Sequence, residues 1–439
     1  MIYRQSFSLL IVFSILSCIT LRGYGQLNRN DSLDLKPLIN KVIQTYPTIQ
    51  QANEALNAAD IKIELARSAY LPNAMVSGSY AHIGPVPSLT IPNMGSFTLA
   101  PVDNINAALN VNQTISDFGK TKKSIEYEEK SKGLNSIGLE QVKQRMSLMT
   151  IGCYYNLLYF QEAIAIKEEQ LSTLNQHLKN VEKQVETGSA TQYEILSTKV
   201  RISTVESQKT DVITALNFQN SLLNMLLGEP ASSQHRVRNI LQTDMVPLSE
   251  DSLIAVALNN RNEMKLAEKK VIVSQAYQEL VKKHENPVIS AFASGGWKNG
   301  YIPELNKPKA NYAIGLNLSI PIYDASRTKL NAKLVGSTIQ SNRYEVDLTK
   351  RTITNEVMES INTLKAAISK SKLFEMQFSQ AKKALELAEL KFKSGTLTNL
   401  DLLDVENAES ESRLMFLKAR IDRVVSAIKV KAALGMNLY

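Results

Sequence analysis

One pattern is written twice in this chain, and that duplication limits the folds open to it. Thr-Gly-Ser-Ala-Thr-Gln-Tyr-Glu-Ile-Leu at 187–196 aligns with Ser-Gly-Thr-Leu-Thr-Asn-Leu-Asp-Leu-Leu at 394–403. The same spacing sets Thr114 on Pro321, Asp117 on Asp324, Lys120 on Arg327, Glu168 on Glu375 and Leu227-Gly228 on Leu434-Gly435. Upstream, Tyr46-Pro47 and Arg261-Asn262 head matching helices that stop at Pro72 and Pro287. Short repeats stack into solenoids. Two long copies instead imply a duplicated unit in a pseudo-symmetric assembly, with a first repeat over 26–230 and a second over 231–439.

Residues 1–25 read as a secretory signal peptide. Arg4 supplies the positive start, 7–21 are mostly apolar, and small residues precede Gln26. The apolar run is shorter than the roughly 20 residues of a membrane-spanning helix. A second reading makes Cys18 the acylated cysteine of a lipoprotein signal, and both readings export the chain. If Cys18 leaves with the signal, Cys153 is alone and no internal disulfide is possible. Cys153, in a helical stretch, reads as a packed core residue.

The formal net charge of +8 is spread among alternating acids and bases, as in Lys167-Glu-Glu and Glu268-Lys-Lys. That is the writing of solvated helix faces, and no nucleic acid is expected as a partner.

Each unit reads helix, strand, long loop, strand, very long helix, tight turn, helix. The first helix is expected over 33–69. In the second strand of each pair, apolar and small polar residues alternate: Ile105, Leu109, Val111 and Ile115 against Asn106, Asn110 and Asn112, then Ile314, Leu316, Leu318, Ile320 and Ile322 against Gly315, Asn317 and Ser319. We expect these strands over 105–115 and 312–322. Their partners, at 73–82 and 288–297, are assigned from their place in the repeat. Strands of about ten residues suit a tilted bilayer crossing. An Asn/Ser/Gly face suits a wet lumen. The connecting loops are long and carry Pro85, Pro87, Pro92 and Pro101, then Pro303 and Pro308. Trp297 and Tyr301 are candidate aromatic anchors at a membrane interface.

Four strands cannot close a barrel, and an open edge is not tolerated in lipid. The wall must therefore be shared, by two chains or by three. After the strands, 120–186 and 329–393 contain no proline and keep a helical rhythm (Ile353, Val357, Ile361, Leu364, Ile368). At about 1.5 Å per residue each spans about 100 Å. Such helices need partners, supplied by return helices at 192–227 and 399–434 that stack end to end with the helices opening each unit.

Both turns carry helix-start signatures, Thr191-Gln-Tyr-Glu194 and Thr398-Asn-Leu-Asp401, with Gly188 and Gly395 past the incoming helix ends. Capping alone accounts for Glu194 and Asp401. Asp404 lies one turn beyond Asp401 on the same face. Where several chains converge, such a pair becomes rings of carboxylates, which is how cation-selective pores are lined.

With these residues the chain resembles the TolC-like outer-membrane efflux proteins, over nearly all of 33–435. The resemblance rests on Gly-x-x-Thr-x-x-Asp-Leu-Leu-Asp from Gly395, its partner at Gly188, Ile-Ser-Asp-Phe-Gly-Lys at 115–120, Pro-Ile-Tyr-Asp at 321–324, and the duplication. It implies a mainly α chain with a β-barrel portion: a homotrimeric periplasmic tunnel joined to a twelve-stranded barrel in the lipid of a Gram-negative outer membrane. It implies a passive duct for small molecules or proteins in a tripartite efflux or type I secretion system. The implied partners are a periplasmic adaptor (membrane fusion) protein and an inner-membrane RND, ABC or MFS-type transporter. Asp401 and Asp404 match the family's entrance-constricting carboxylates. Thr187, Gly188, Ser189, Ser394, Gly395 and Thr396 match the adaptor-facing tips. Two departures stand out. Leu397 replaces a basic residue that locks the closed entrance in some relatives, and Ala-Ser-Arg follows Asp324 where Phe-Gly-Lys follows Asp117.

No catalytic constellation is present. His82, His177, His235 and His284 are scattered, and there is neither a phosphate-binding glycine loop nor a nucleophile elbow. No enzyme activity, cofactor or metal is expected. The competing expectation is an exported coiled-coil scaffold or adhesin whose strands form a soluble sheet.

Overall fold

The protein is described by a computed structural model covering residues 32–239, 241 and 250–439. The expected signal peptide and Cys18 lie outside the described residues.

The first helical segment is two helices, where the sequence predicts one over 33–69. Helix α1 (Leu35–Thr45) ends because Pro47 holds Tyr46 extended, at φ −70° and ψ 129°. Helix α2 (Pro47–Ser68) starts with that proline in its first turn, where the missing N–H costs nothing.

Strands β1 (Asn73–His82), β2 (Ser88–Ile91), β3 (Gly95–Thr98) and β4 (Asp103–Ser116) follow. The short hairpin β2–β3 sits inside what reads as a plain loop; four-residue strands are too brief for a period to show. Helix α3 (Lys120–Glu186) and the return helix α4 (Gln192–Leu227) complete the first unit. The second runs α5 (Glu250–Asn260), α6 (Asn262–Lys282), β5 (Val288–Lys298), β6 (Lys309–Ser319), α7 (Arg327–Lys393) and α8 (Asn399–Ala433). Arg261 is extended between α5 and α6, as Tyr46 is between α1 and α2, so the second unit repeats the break without a proline.

Strand β6 begins and ends three residues earlier than 312–322. Its pairing with β5 runs from Lys309↔Lys298 to Ser319↔Val288, so nothing remains for Ile320 and Ile322 to pair with. Pro321, lacking an N–H, cannot extend the ladder.

The four long strands form one antiparallel sheet in the order β1-β4-β5-β6. Its register puts most of the large apolar side chains on one side, with Met75 and Phe292 on the other. Val76 faces Leu109, Leu109 faces Gly295, and Gly295 faces Tyr312, all on one side. That side carries Val76, Tyr80, Ile105, Leu109, Trp297, Tyr312, Ile314, Leu316 and Leu318, every one exposed. The opposite side carries Ser77, Ser79, Asn106, Asn110, Asn112, Ser290, Ser294, Asn311 and Asn317, and there Asn110 Nδ2 donates to Ser77 Oγ at 2.8 Å. Within the polar side Phe292 lies over Gly315, where a Cβ would meet its ring at 2.7 Å. Among the described residues neither β1 nor β6 has a second neighbour. Among the described residues no helix is long and apolar enough to cross a membrane.

Two corners carry the sheet into the long helices. Asp117 accepts from the amides of Gly119 (3.1 Å) and Thr121 (2.6 Å), and Asp324 accepts from the amide of Thr328 (2.8 Å). Each aspartate thus satisfies free N–H groups of a helix start. Phe118 and Gly119 have positive φ, and so do Ala325 and Ser326. The two corners are alike in shape although their sequences differ.

Helices α3 and α7, 67 residues each, span about 100 Å and run antiparallel to α4 and α8. The main core lies midway along α3, where α1, α2 and the ends of α4 and α8 pack on it. There Tyr154, Leu157, Leu158, Leu223, Leu226, Ile421 and Val424 are almost fully buried. Tyr154 Oη donates to the carbonyl of Arg238 at 2.7 Å, and Leu33 bridges to Val237, so the inter-repeat segment is tied onto this core. Cys153 is buried and its thiol is pushed up to about 12 by burial, as befits a packing residue. The end of α8 meets the α5–α6 junction so closely that a Cβ on Gly435 would lie 2.8 Å from Asn260 and Arg261. For α8 this is the end-to-end stacking expected of a return helix.

Candidate functional site

The two helix turns lie about 100 Å of helix away from the sheet. Each is closed by the hydrogen bonds of a left-handed glycine cap. Gly188 and Gly395 both have φ 74°. In the first turn the amides of Ser189 and Gly188 donate to the carbonyls of Gln184 and Val185; in the second, those of Thr396 and Gly395 donate to Lys391 and Phe392. Thr187, Gly188, Ser189, Ser394, Gly395 and Thr396 are all exposed, so the two tips present backbone and small hydroxyls to solvent.

The outgoing helices start as their sequences suggest. Thr191 and Glu194 form a reciprocal capping box, with the Thr191 amide donating to Glu194 Oε2 at 2.7 Å. Thr398 Oγ1 accepts from the Asp401 amide at 3.2 Å and lies 2.6 Å from Asp401 Oδ2. Thr398 is therefore the cap, and Asp401, exposed, takes part in the capping through its amide and its carboxylate. Asp404 is also exposed and is held by Arg201 of α4, whose Nη2 donates to Oδ1 at 2.7 Å.

That pair is one of several links across the two coils, which the sequence does not reveal. His177 Nε2 lies 2.5 Å from Asn399 Oδ1, and Asn399 Nδ2 donates to Ser197 Oγ and Thr198 Oγ1. His177 and Asn399 are both buried. Ser410 donates to Gln170 Oε1 at 2.9 Å, and Arg413 Nη1 to Glu169 Oε2 at 2.7 Å. An apolar pin of Leu174, Ile202, Val205 and Leu403 sits among these links. Leu397 takes no part in them. The one sequence signal was the inequality of the repeats: Asp404 falls opposite Ser197, and Arg201 opposite Ala408.

Glu406, one half-turn past Asp404, is 7% exposed, and its Oε2 has no hydrogen-bond partner among the described residues. Burial and the neighbouring Glu389 carboxylate push it up to about 7, against a smaller pull from Arg201. Among the described residues no group of three or more His, Cys, Asp or Glu could hold a metal ion.

A four-stranded sheet with one apolar exposed face, running into paired helices of about 100 Å, defines a class: the subunit of a tubular channel made of a membrane barrel and a helical tunnel. The chain belongs to the outer membrane efflux protein family, whose model matches residues 38–229 and 253–436. It is 20% identical over 433 residues to outer membrane protein TolC of Salmonella enteritidis, covering 96% of this chain and 85% of the relative. It is 21% identical over 401 residues to the cation efflux system protein CusC of Escherichia coli, covering 87% and 84%. The crystal structure of the Campylobacter jejuni CmeC outer membrane channel matches with TM-score 0.76 at 13% identity, covering 91% of this chain and 85% of that one. VceC from Vibrio cholerae matches with TM-score 0.74 at 16% identity, covering 92% and 97%. The fold is that of these channels, and the protein is an outer-membrane protein that extends into the periplasm.

Proposed function

We propose that this chain is the outer-membrane duct of an exporter, a tripartite efflux or type I secretion system, with three copies closing a twelve-stranded barrel. The observation that carries this reading is the sheet: an apolar face exposed on β1, β4 and β6 and at Trp297 of β5, and two edges unpaired among the described residues. In lipid such edges must be closed by further strands. The β1 edge of one copy would pair with the β6 edge of the next. The polar face of Asn, Ser and Gly then lines a wet lumen. The repeats at 26–230 and 231–439 would give the tunnel its pseudo-symmetry, and the two matched family segments support that division.

In this reading the duct does no covalent chemistry. Energy comes from an inner-membrane transporter through a periplasmic adaptor that docks on the exposed tips around Gly188 and Gly395. Asp401 and Asp404, brought together from three chains, constrict the tunnel entrance as rings of carboxylates. The Arg201–Asp404 pair takes the place of the basic lock absent at Leu397. A soluble scaffold is disfavoured by the same sheet, since it would leave this apolar face in water. Native mass spectrometry of detergent-extracted protein, with electrophoresis before and after heating, tests the assembly. A trimer whose migration changes on heating is expected. A water-soluble monomer or dimer would exclude the duct.

A further inference from the structure

Between α3, α7 and α8, just beyond the entrance carboxylates, lies a cavity of about 590 Å³. Glu406 lines it, together with Ile166, Phe378 and Leu385. A carboxylate that is nine-tenths buried with an unpartnered oxygen is costly when charged and cheap when neutral. Its charged surroundings are mixed. Glu169 faces the cavity from α3; Lys382, Glu386 and Glu389 face it from α7; Glu409 and Arg413 share α8 with Glu406. Arg201 acts on Glu406 from α4 while hydrogen-bonded to Asp404. Glu169 and Arg413 are bound to each other, and Lys382 acts on Glu409, so Arg201 is the cation that acts on Glu406 itself.

We propose that Glu406 is a proton-operated switch on the tunnel entrance. Neutral, it leaves Arg201 on Asp404 and lets the two coils stay joined. Ionised, it competes with Asp404 for Arg201 and repels Glu389, loosening α8 from α4 and α7 and favouring the open entrance. No bond is made or broken, and the proton exchanges with solvent. The direction follows from linkage. A carboxyl whose pKa is raised in the closed arrangement stabilises that arrangement at low pH, and the stabilisation is lost progressively as pH rises from the ordinary carboxylate range to about 7. Glu409, also raised by burial, shifts in the same sense. The inference rests on the entrance reading of Asp401 and Asp404.

The test is single-channel recording in planar bilayers over about two pH units either side of the midpoint, for the full protein and for Glu406→Gln. The wild type is expected to gain open probability as pH rises from the ordinary carboxylate range to about 7, by at most about tenfold per unit, and to level off above it. Glu406→Gln is expected to lose most of this dependence, keeping only the part that Glu409 carries. An unchanged midpoint in Glu406→Gln would overturn the switch. Infrared titration of the wild type supplies a readout independent of gating: a protonated-carboxyl band that disappears near neutrality, persists in Glu409→Gln and is missing in Glu406→Gln. Its absence from the wild type would equally overturn the proposal. Asp401→Asn with Asp404→Asn separates the two ideas, because unchanged cation selectivity there defeats the entrance reading whatever the pH profile shows.

Discussion

At the corner before α7, Ala325 and Ser326 hold left-handed backbone conformations that disfavour a side chain. The equivalent corner before α3 places Gly119 at φ 91°. Ser326→Gly should therefore raise stability by about 1 kcal/mol, and Gly119→Ala should lower it by a similar amount. Thermal melting of both variants in detergent checks the pair, and a null result for either would mean the corners relax. The sequence already marked Asp117 and Asp324 as equivalent, and their amide bonds explain why. It also singled out Asp401 and Asp404, as a pair of carboxylates three apart on one helix face. What it could not mark was Glu406, an ordinary acid in a helix of acids, because burial and a missing partner exist only after the coils are packed.

The elements were more legible than their ends. Helices α3 and α4 fall where proline-free rhythm and glycine turns put them, because period and caps are local properties. The break at Tyr46 and the shifted ends of β6 depend on a neighbour: a following proline in one case, the reach of β5 in the other. The hold between the coils is also non-local. Leu174, on α3, packs with Ile202 and Val205 of α4 and Leu403 of α8. Truncating it to alanine should cost about 2–5 kcal/mol locally. Because the pin sits among the links to the proposed entrance, Leu174→Ala should lengthen open bursts in single-channel records while leaving the barrel's heat-modifiable migration intact. Loss of the barrel band instead would show that the pin is needed for folding rather than for closure.

Across the whole molecule the sheet's two faces are asked to meet different solvents. Leu316 lies on the apolar face and Asn317 on the polar one, next to it in sequence. A charge at lipid midplane costs about 2–4 kcal/mol, and a charge in a wet lumen far less. Leu316→Arg should reduce the yield of heat-modifiable trimer, while Asn317→Arg should assemble normally and shift ion selectivity toward anions. Equal effects from the two would mean the faces are misassigned. That alternation was plain in the sequence, as was the need for a shared wall. The number of chains was not, since two or three copies satisfy the same edges and only assembly decides between them.

The most direct test of the duct is the current it carries. Purified protein in planar bilayers should give small cation-selective channels whose selectivity falls, and whose conductance grows, when Asp401 and Asp404 are replaced by asparagine. Failure to insert, or channels indifferent to both substitutions, would contradict the account.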